Sequence, residues 1–191
     1  GIPTASLDDA KWLDLTIDGA DEFDQNLALI KGGGAALLQE KIVATASDQM
    51  IVIADAAKEV AQLGMFALPI EVIPFGWQTT KALVEETLVS MDVLNRDVTL
   101  RMNGERPLVT DESNYILDLH LKRIGNPRQL ALVLNQIPGV VENGLFIDIC
   151  DIVIIGHGDG RVTVRDINNG SEQDDHIYFA PTDNIFVDLG D

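Results

Sequence analysis

A chain of 191 residues with 46% hydrophobic content can bury a substantial core, enough for one full domain or a domain plus a small one. Its 13 Lys and Arg stand against 31 Asp and Glu, a formal charge of −18, and that shortage of phosphate-neutralising cations excludes nucleic acid and anionic membranes as expected partners. A single cysteine, Cys150, rules out an internal disulfide, and with no apolar run of membrane-spanning length and no visible secretory signal the expected compartment is cytoplasmic.

In chain order, the apolar stretch from Leu13 to Ile17 reads as a buried strand, Ala35 to Ser47 as a helix, and Met50 to Ala54 as a second buried strand. This alternation predicts a parallel α/β core. Past Pro69 and Pro74 the pattern changes: Gln78 to Met91 is helical, Val98 to Met102 and Tyr115 to His120 alternate as strands, and Asn126-Pro127 opens a helix with a cap and a first-turn proline. Val140 to Phe146 returns as a strand, so two helices interleave with antiparallel strands, the composition of a ferredoxin-like α+β unit. Gly156 to Gly160 reads as a turn. From Asp166 to Asp191 there are seven acids and no Lys or Arg; residues 167–191 are expected to form an acidic extension. The alternation at His176 to Phe179 and Ile185 to Leu189 favours an added hairpin there, because Tyr178, Phe179, Ile185 and Phe186 are too apolar for a disordered tail.

Several conspicuous residues read as structural. His120, His157 and His176 have no metal-ligand spacing, and Asp148, Asp151 and Asp159 read as acids at strand ends, so no metal site is expected. Trp12 and Trp77 read as packing residues, since no basic surface accompanies them. Cys150, between Ile149 and Asp151, reads as a buried thiol.

The chemistry concentrates in one window. Asp18-Gly19-Ala20-Asp21-Glu22 follows the first strand, at the carboxyl end where open α/β sheets bind ligands. Lys31-Gly32-Gly33-Gly34 comes next, and the glycines are expected to open the following helix, letting backbone amides approach an oxyanion. On that helix Ala36, Glu40, Val43 and Ala44 share a face, which desolvates Glu40 and raises its pKa toward the range of a general base. Acids, a cation and bare amides together suit proton transfer on a small anionic substrate. The same residues also admit a plainer reading, in which Asp18 caps a turn and Glu40 forms an ion pair with Lys31 or Lys41 that supports packing.

These motifs resemble the ribose-5-phosphate isomerase A family. The resemblance runs from Ile17-Asp18-Gly19-Ala20-Asp21-Glu22 through Ile30-Lys31-Gly32-Gly33-Gly34-Ala35-Ala36-Leu37, Glu40-Lys41, Ile53-Ala54-Asp55 with Lys58, and Leu68-Pro69-Ile70-Glu71-Val72-Ile73-Pro74. It continues through Val109-Thr110-Asp111, Ile116-Leu117-Asp118, Ile137-Pro138-Gly139-Val140-Val141 and Gly144-Leu145-Phe146, covering residues 1 to 166. It implies interconversion of ribose 5-phosphate and ribulose 5-phosphate through an enediolate, in the non-oxidative pentose phosphate pathway, without metal or cofactor. Position by position, Glu40 matches the base that moves the proton between C1 and C2. Asp18 and Asp21 match carboxylates that contact sugar hydroxyls, with Asp18 helping ring opening; Lys31 and the amides of Gly32, Gly33 and Gly34 match the group that holds the enediolate oxygens. Gly19 and Ala20 fall within the matched substrate-binding stretch, and Lys58 matches a further substrate contact.

The resemblance implies a Rossmann-like, mostly parallel α/β domain, residues 1–67 plus 148–166, with a small ferredoxin-like α+β domain, residues 68–147, inserted before the last core strands, Ile152 to Ile155 and Arg161 to Val164. By the same analogy the family pattern begins about 60 to 70 residues earlier, with a helix and a Thr-Gly-Ser-Thr-like phosphate loop, so the core domain is expected to be incomplete at its amino end. A homodimer or homotetramer is implied. Two other functions fit parts of the pattern: a coenzyme A transferase-like enzyme with Glu40 as covalent nucleophile, and a non-catalytic sugar-phosphate-binding module.

Overall fold

Short apolar runs broken by glycine and proline resolve into 14 strands and 4 helices among residues 2–176, the residues described by the structure, a computed structural model. A short helix α1 (Leu7–Ala10), capped by Ser6, leads to β1 (Thr16–Asp18), β2 (Glu22–Phe23) and β3 (Leu29–Ile30). Helix α2 (Leu37–Thr45) and β4 (Met50–Asp55) follow, and β4 ends in a 3-10 turn, Ala56–Lys58. Then come β5 (Leu68–Val72), α3 (Trp77–Leu88), β6 (Asp97–Leu100), the hairpin of β7 (Met102–Asn103) and β8 (Arg106–Pro107), β9 (Tyr115–His120) and α4 (Pro127–Leu134). The chain closes through β10 (Val140–Asn143), β11 (Leu145–Phe146), β12 (Ile152–Gly156), β13 (Arg161–Asp166) and β14 (Ser171–His176).

The main sheet has the order β1-β4-β12-β13-β14, parallel through its first three strands and antiparallel after them. Parallel pairing of β1 with β4 puts their carboxyl ends side by side, with Asp18 opposite Val52. One face, carrying Met50, Val52, Val153 and Ile155, packs on Phe23, Leu27, Leu29, Ala44 and Phe146. The expectation that the first two strands are buried holds for this face alone, since Ile17 and Ile53 on the other are 60% and 54% exposed. The first strand also begins later than its apolar run, because Leu13 makes only an isolated bridge to Ser47.

Between β4 and β12 the chain builds the expected α+β unit. Its elements run β5-α3-β6-β9-α4-β10, and its sheet is antiparallel throughout in the order β10-β5-β9-β6. Leu68, Ile70, Val72, Leu117 and Leu119 form one core with Val84 and Leu88 of α3 and Leu130 and Leu134 of α4. The Asn126 side chain caps α4 by accepting from the Gln129 amide at 3.0 Å, with Pro127 in the first turn, as its sequence predicts.

Two expectations are corrected here. The run from Val140 to Phe146 is not one strand: β10 belongs to the α+β sheet, while β11 joins the small sheet β11-β3-β2. Gly144 makes the crossing, accepting from the Lys31 amide at 2.9 Å and donating to the Pro69 carbonyl at 2.8 Å. A Cβ there would collide with the Lys31 carbonyl. The main sheet also extends past residue 166, because Ser171–His176 of the acidic extension pairs along the full length of β13. Opposite charges across the two strands explain this in a segment with no apolar alternation: Arg165 pairs with Glu172 at 2.8 Å, and Arg161 and Thr163 both reach Asp174. The hairpin expected from His176 to Leu189 lies, apart from His176 itself, outside the described residues.

Candidate active site

The β1 carboxyl end delivers Asp18, and the β2-β3 hairpin holds Asp21 and Lys31 on facing arms, with the Asp21 amide donating to the Ile30 carbonyl at 2.9 Å. Lys31 is 3% exposed. An ammonium so buried requires partners, and Nζ has three: it donates to the Gly19 carbonyl at 2.7 Å and forms ion pairs with Asp18 Oδ2 at 2.9 Å and Glu40 Oε2 at 3.2 Å. The Phe146 ring lies beneath it, 5.5 Å away.

Glu40 reaches the cleft from the first turn of α2. Its buried Oε2 has the Lys31 charge beside it but no hydrogen bond. Burial raises the Glu40 pKa; Lys31 opposes this, while the charges of Asp18 and Asp21 add to it, and the net shift is upward. A carboxylate short of hydrogen bonds and held above its usual range is a proton acceptor in waiting.

The glycine run has a different arrangement from the expected helix opening. Helix α2 starts only at Leu37, after Ala35 in the left-handed region at φ 65°. The Gly33 amide therefore meets Asp21 Oδ2 at 2.8 Å, while Gly34 lies exposed at the cleft. Glycine is required at two of these positions: at Gly32, with φ 107°, a Cβ would stand 2.8 Å from Leu37 Cδ2, and at Gly33 it would stand 2.7 Å from Asp21 Oδ1.

Residues 18–21, 31–34 and Glu40 line one open cleft of about 220 Å³. The structure thus brings together Asp18, Gly19, Ala20, Asp21, Lys31, Gly32, Gly33, Gly34 and Glu40. Lys58 does not line it; it ends the 3-10 turn after β4. Lys41, the alternative partner for Glu40, turns instead to Glu142.

Two neighbours carried no role in the sequence reading. The Phe146 ring lies within reach of the ammonium groups of both Lys31 and Lys41, the latter 4.9 Å from its centroid; its place in the Gly144-Leu145-Phe146 motif was the only signal. Arg101, from the segment after β6, donates to the Gly32 and Gly33 carbonyls at 2.8 and 3.1 Å, and nothing local in sequence points to it.

The structural readings of other residues have concrete partners. Asp148 pairs with Arg128, Asp151 accepts from the Met50 amide, and Asp159 accepts from the Arg161 amide. Burial pushes the Cys150 thiol up to about 12, so it carries no nucleophilic thiolate at neutral pH. Among the described residues no three His, Cys, Asp or Glu side chains converge as a metal site, and no helix is long and apolar enough to cross a membrane.

Comparison with known proteins gives the family and the fold. Residues 1–160 match the sequence profile of ribose 5-phosphate isomerase A (phosphoriboisomerase A). The chain is 76% identical to ribose-5-phosphate isomerase A of Ruegeria sp. (strain TM1040) and 73% identical to that of Ruegeria pomeroyi, in each case over the whole of this chain and 73% of the relative. Among solved structures, a D-ribose-5-phosphate isomerase in complex with phospho-erythronic acid superposes with a TM-score of 0.78 at 44% identity, covering 86% of this chain and 70% of that one. The ribose 5-phosphate isomerase A of Neisseria gonorrhoeae superposes with a TM-score of 0.73 at 39% identity, covering 85% and 68%. The chain belongs to the ribose 5-phosphate isomerase A family.

Proposed function

We propose that this protein interconverts ribose 5-phosphate and ribulose 5-phosphate, with Glu40 as the base that carries the proton. In the open-chain aldose, the Glu40 carboxylate takes the proton from C2. The C–H electron pair becomes the C1–C2 double bond, and the C1 carbonyl electrons move onto O1. Lys31 and the glycine loop hold the resulting enediolate oxygens. Glu40 returns its proton to C1 as the C2 hydroxyl proton passes to O1, leaving a ketone at C2 and a hydroxyl at C1. Asp18 and Asp21, fixed by the Gly19 and Gly33 amides at 2.7 and 2.8 Å, hold the sugar hydroxyls, and Asp18 assists ring opening. Gly19 and Ala20 form the floor beneath the sugar.

The observation that carries this reading is the buried, hydrogen-bond-poor Glu40 Oε2 at 3.2 Å from Lys31. Lys31 places a cation in this cleft, beside the carboxylates of Asp18 and Glu40, in a chain of charge −18. Lys58, at the end of the 3-10 turn after β4 and outside the lining of this cleft, is assigned a further substrate contact. Residues 1–67 and 148–166 carry the chemistry, and residues 68–147 form the supporting small domain. A cytoplasmic homodimer or homotetramer completes the proposal.

The test is turnover of ribose 5-phosphate in deuterium oxide. The expected product is ribulose 5-phosphate with solvent deuterium at C1, because the Glu40 side chain is 27% exposed in an open cleft and can exchange its proton. Product free of deuterium would overturn a shuttle that equilibrates its proton with solvent on Glu40.

A further inference from the structure

We propose that Arg101 is a positioning residue of this reaction, setting the peptide planes of the glycine loop so that their N–H groups face the cleft. The inference rests on the isomerase reading above. The Arg101 guanidinium donates from one nitrogen to two successive carbonyls, Gly32 at 2.8 Å and Gly33 at 3.1 Å, while its other nitrogens bind Asp118 of β9, Nε at 2.9 Å. Both side chains are only 15% exposed. Asp118 neutralises the guanidinium, so the effect of Arg101 on the cleft is one of geometry rather than field.

A trans peptide carries its C=O and N–H on opposite sides. The carbonyl of Gly32 and the amide of Gly33 belong to one peptide, and the carbonyl of Gly33 and the amide of Gly34 to the next. Drawing both carbonyls toward Arg101 therefore turns both amides away from it. The Gly33 amide meets Asp21 Oδ2 at 2.8 Å; the Gly34 amide has no hydrogen-bond partner among the described residues, and Gly34 lines the cleft where an added Cβ would meet no atom within 4 Å. Glycine peptides flip easily, because neither sign of φ is penalised. The Gly32 carbonyl also accepts from the Ala35 amide at 3.0 Å, a bond that closes the turn and leaves the Gly33 carbonyl to Arg101; without Arg101 the loop would sample orientations that withdraw the free donor from an enediolate oxygen and loosen Asp21. Arg101 does not line the cleft; it acts through these two peptides and ties the loop to β9 of the α+β unit.

The experiment compares Arg101→Ala, Arg101→Lys and the native protein by ribose 5-phosphate kinetics and by amide exchange of Gly33. Arg101→Ala should lower kcat by about 100-fold, the usual worth of one oxyanion donor, with KM changed by less than about threefold. Lysine cannot span two carbonyls and a carboxylate as a planar fork, so Arg101→Lys should remain at least about tenfold impaired. Guanidinium ion added at low concentration should restore part of the Arg101→Ala rate, which a merely structural loss would not allow. The Gly33 amide should exchange at least about tenfold faster in both variants. Unchanged Gly33 exchange in a folded variant overturns the proposal, as does a kcat within about threefold of native. If the native protein fails to turn over ribose 5-phosphate, the isomerase reading falls, and the exchange measurement still decides the role of Arg101. If Arg101→Ala does not fold, Arg101→Lys carries both readouts.

Discussion

Helix α2 presents two adjacent residues, Glu40 and Lys41, to two lysine–glutamate pairs of similar chemistry and different character. Lys41 Nζ binds three oxygens, those of Glu142, Asn143 and Leu145, at 2.6 to 2.9 Å. Its partner Glu142 accepts from the Asn135 side chain and the Asn143 amide as well as from Lys41. Burial raises the Glu142 pKa, but these donors outweigh it, and the net shift is downward. Glu40, beside a more deeply buried lysine, keeps an oxygen with no hydrogen bond, and its shift is upward. The lesson is that an ion pair does not by itself make a glutamate structural or reactive. The number of donors to its oxygens decides, because each one stabilises the carboxylate against protonation.

The contrast can be broken most severely at Glu40. Glu40→Gln removes the base and keeps the volume, so kcat should fall by about 100-fold to 10,000-fold; a loss of less than about tenfold in steady-state turnover would place the base elsewhere. Lys31→Met should lower kcat by about 100-fold with a smaller change in KM, since the enediolate loses its cation. The same variant removes the charge that lowers the Glu40 pKa. In the native enzyme kcat/KM should fall as pH drops through a Glu40 pKa above the usual carboxylate range, and in Lys31→Met that fall should begin at higher pH. Lys41→Met tests the other pair. It should cost about 3 kcal/mol of stability in urea unfolding by stranding Glu142, and leave kcat within about threefold of native; a selective loss of kcat instead would give Lys41 a catalytic share.

The smallest expected effect is a gain. With its folded pKa raised above the unfolded value, Glu40 makes the native state take up protons, so its contribution favours folding as pH falls and opposes it at neutral pH. Glu142, shifted down, contributes stability above its unfolded pKa that is lost as pH falls through its folded pKa. Glu40→Gln should therefore raise the neutral-pH Tm slightly while abolishing turnover, a trade of stability for activity. A Tm lowered by that substitution would show that the Lys31 pair is net stabilising.

Much of the site was legible because Asp18, Asp21, Lys31 and Glu40 lie in one window, where strand end, hairpin and helix start bring them together through local geometry. The α+β unit was legible from its alternation of helical and strand patterns and the Asn126-Pro127 start. Arg101 was not, since it reaches Gly32 from 69 positions away through the packing of the α+β unit on the core. Strand β14 escaped because cross-strand charge pairing, rather than apolar alternation, holds it. Likewise the split at Gly144 has no hydrophobic signature; it depends on the close approach of the Lys31 and Pro69 backbones.

That approach has an outcome for inactivation. One residue, Gly144, accepts from the backbone of the buried lysine and donates to the backbone of β5, so the lysine's seat and the first strand of the α+β sheet share a fastener. Heating that frees β5 also unseats the lysine, and loss of turnover should coincide with melting of the α+β unit even where the five-stranded sheet still holds.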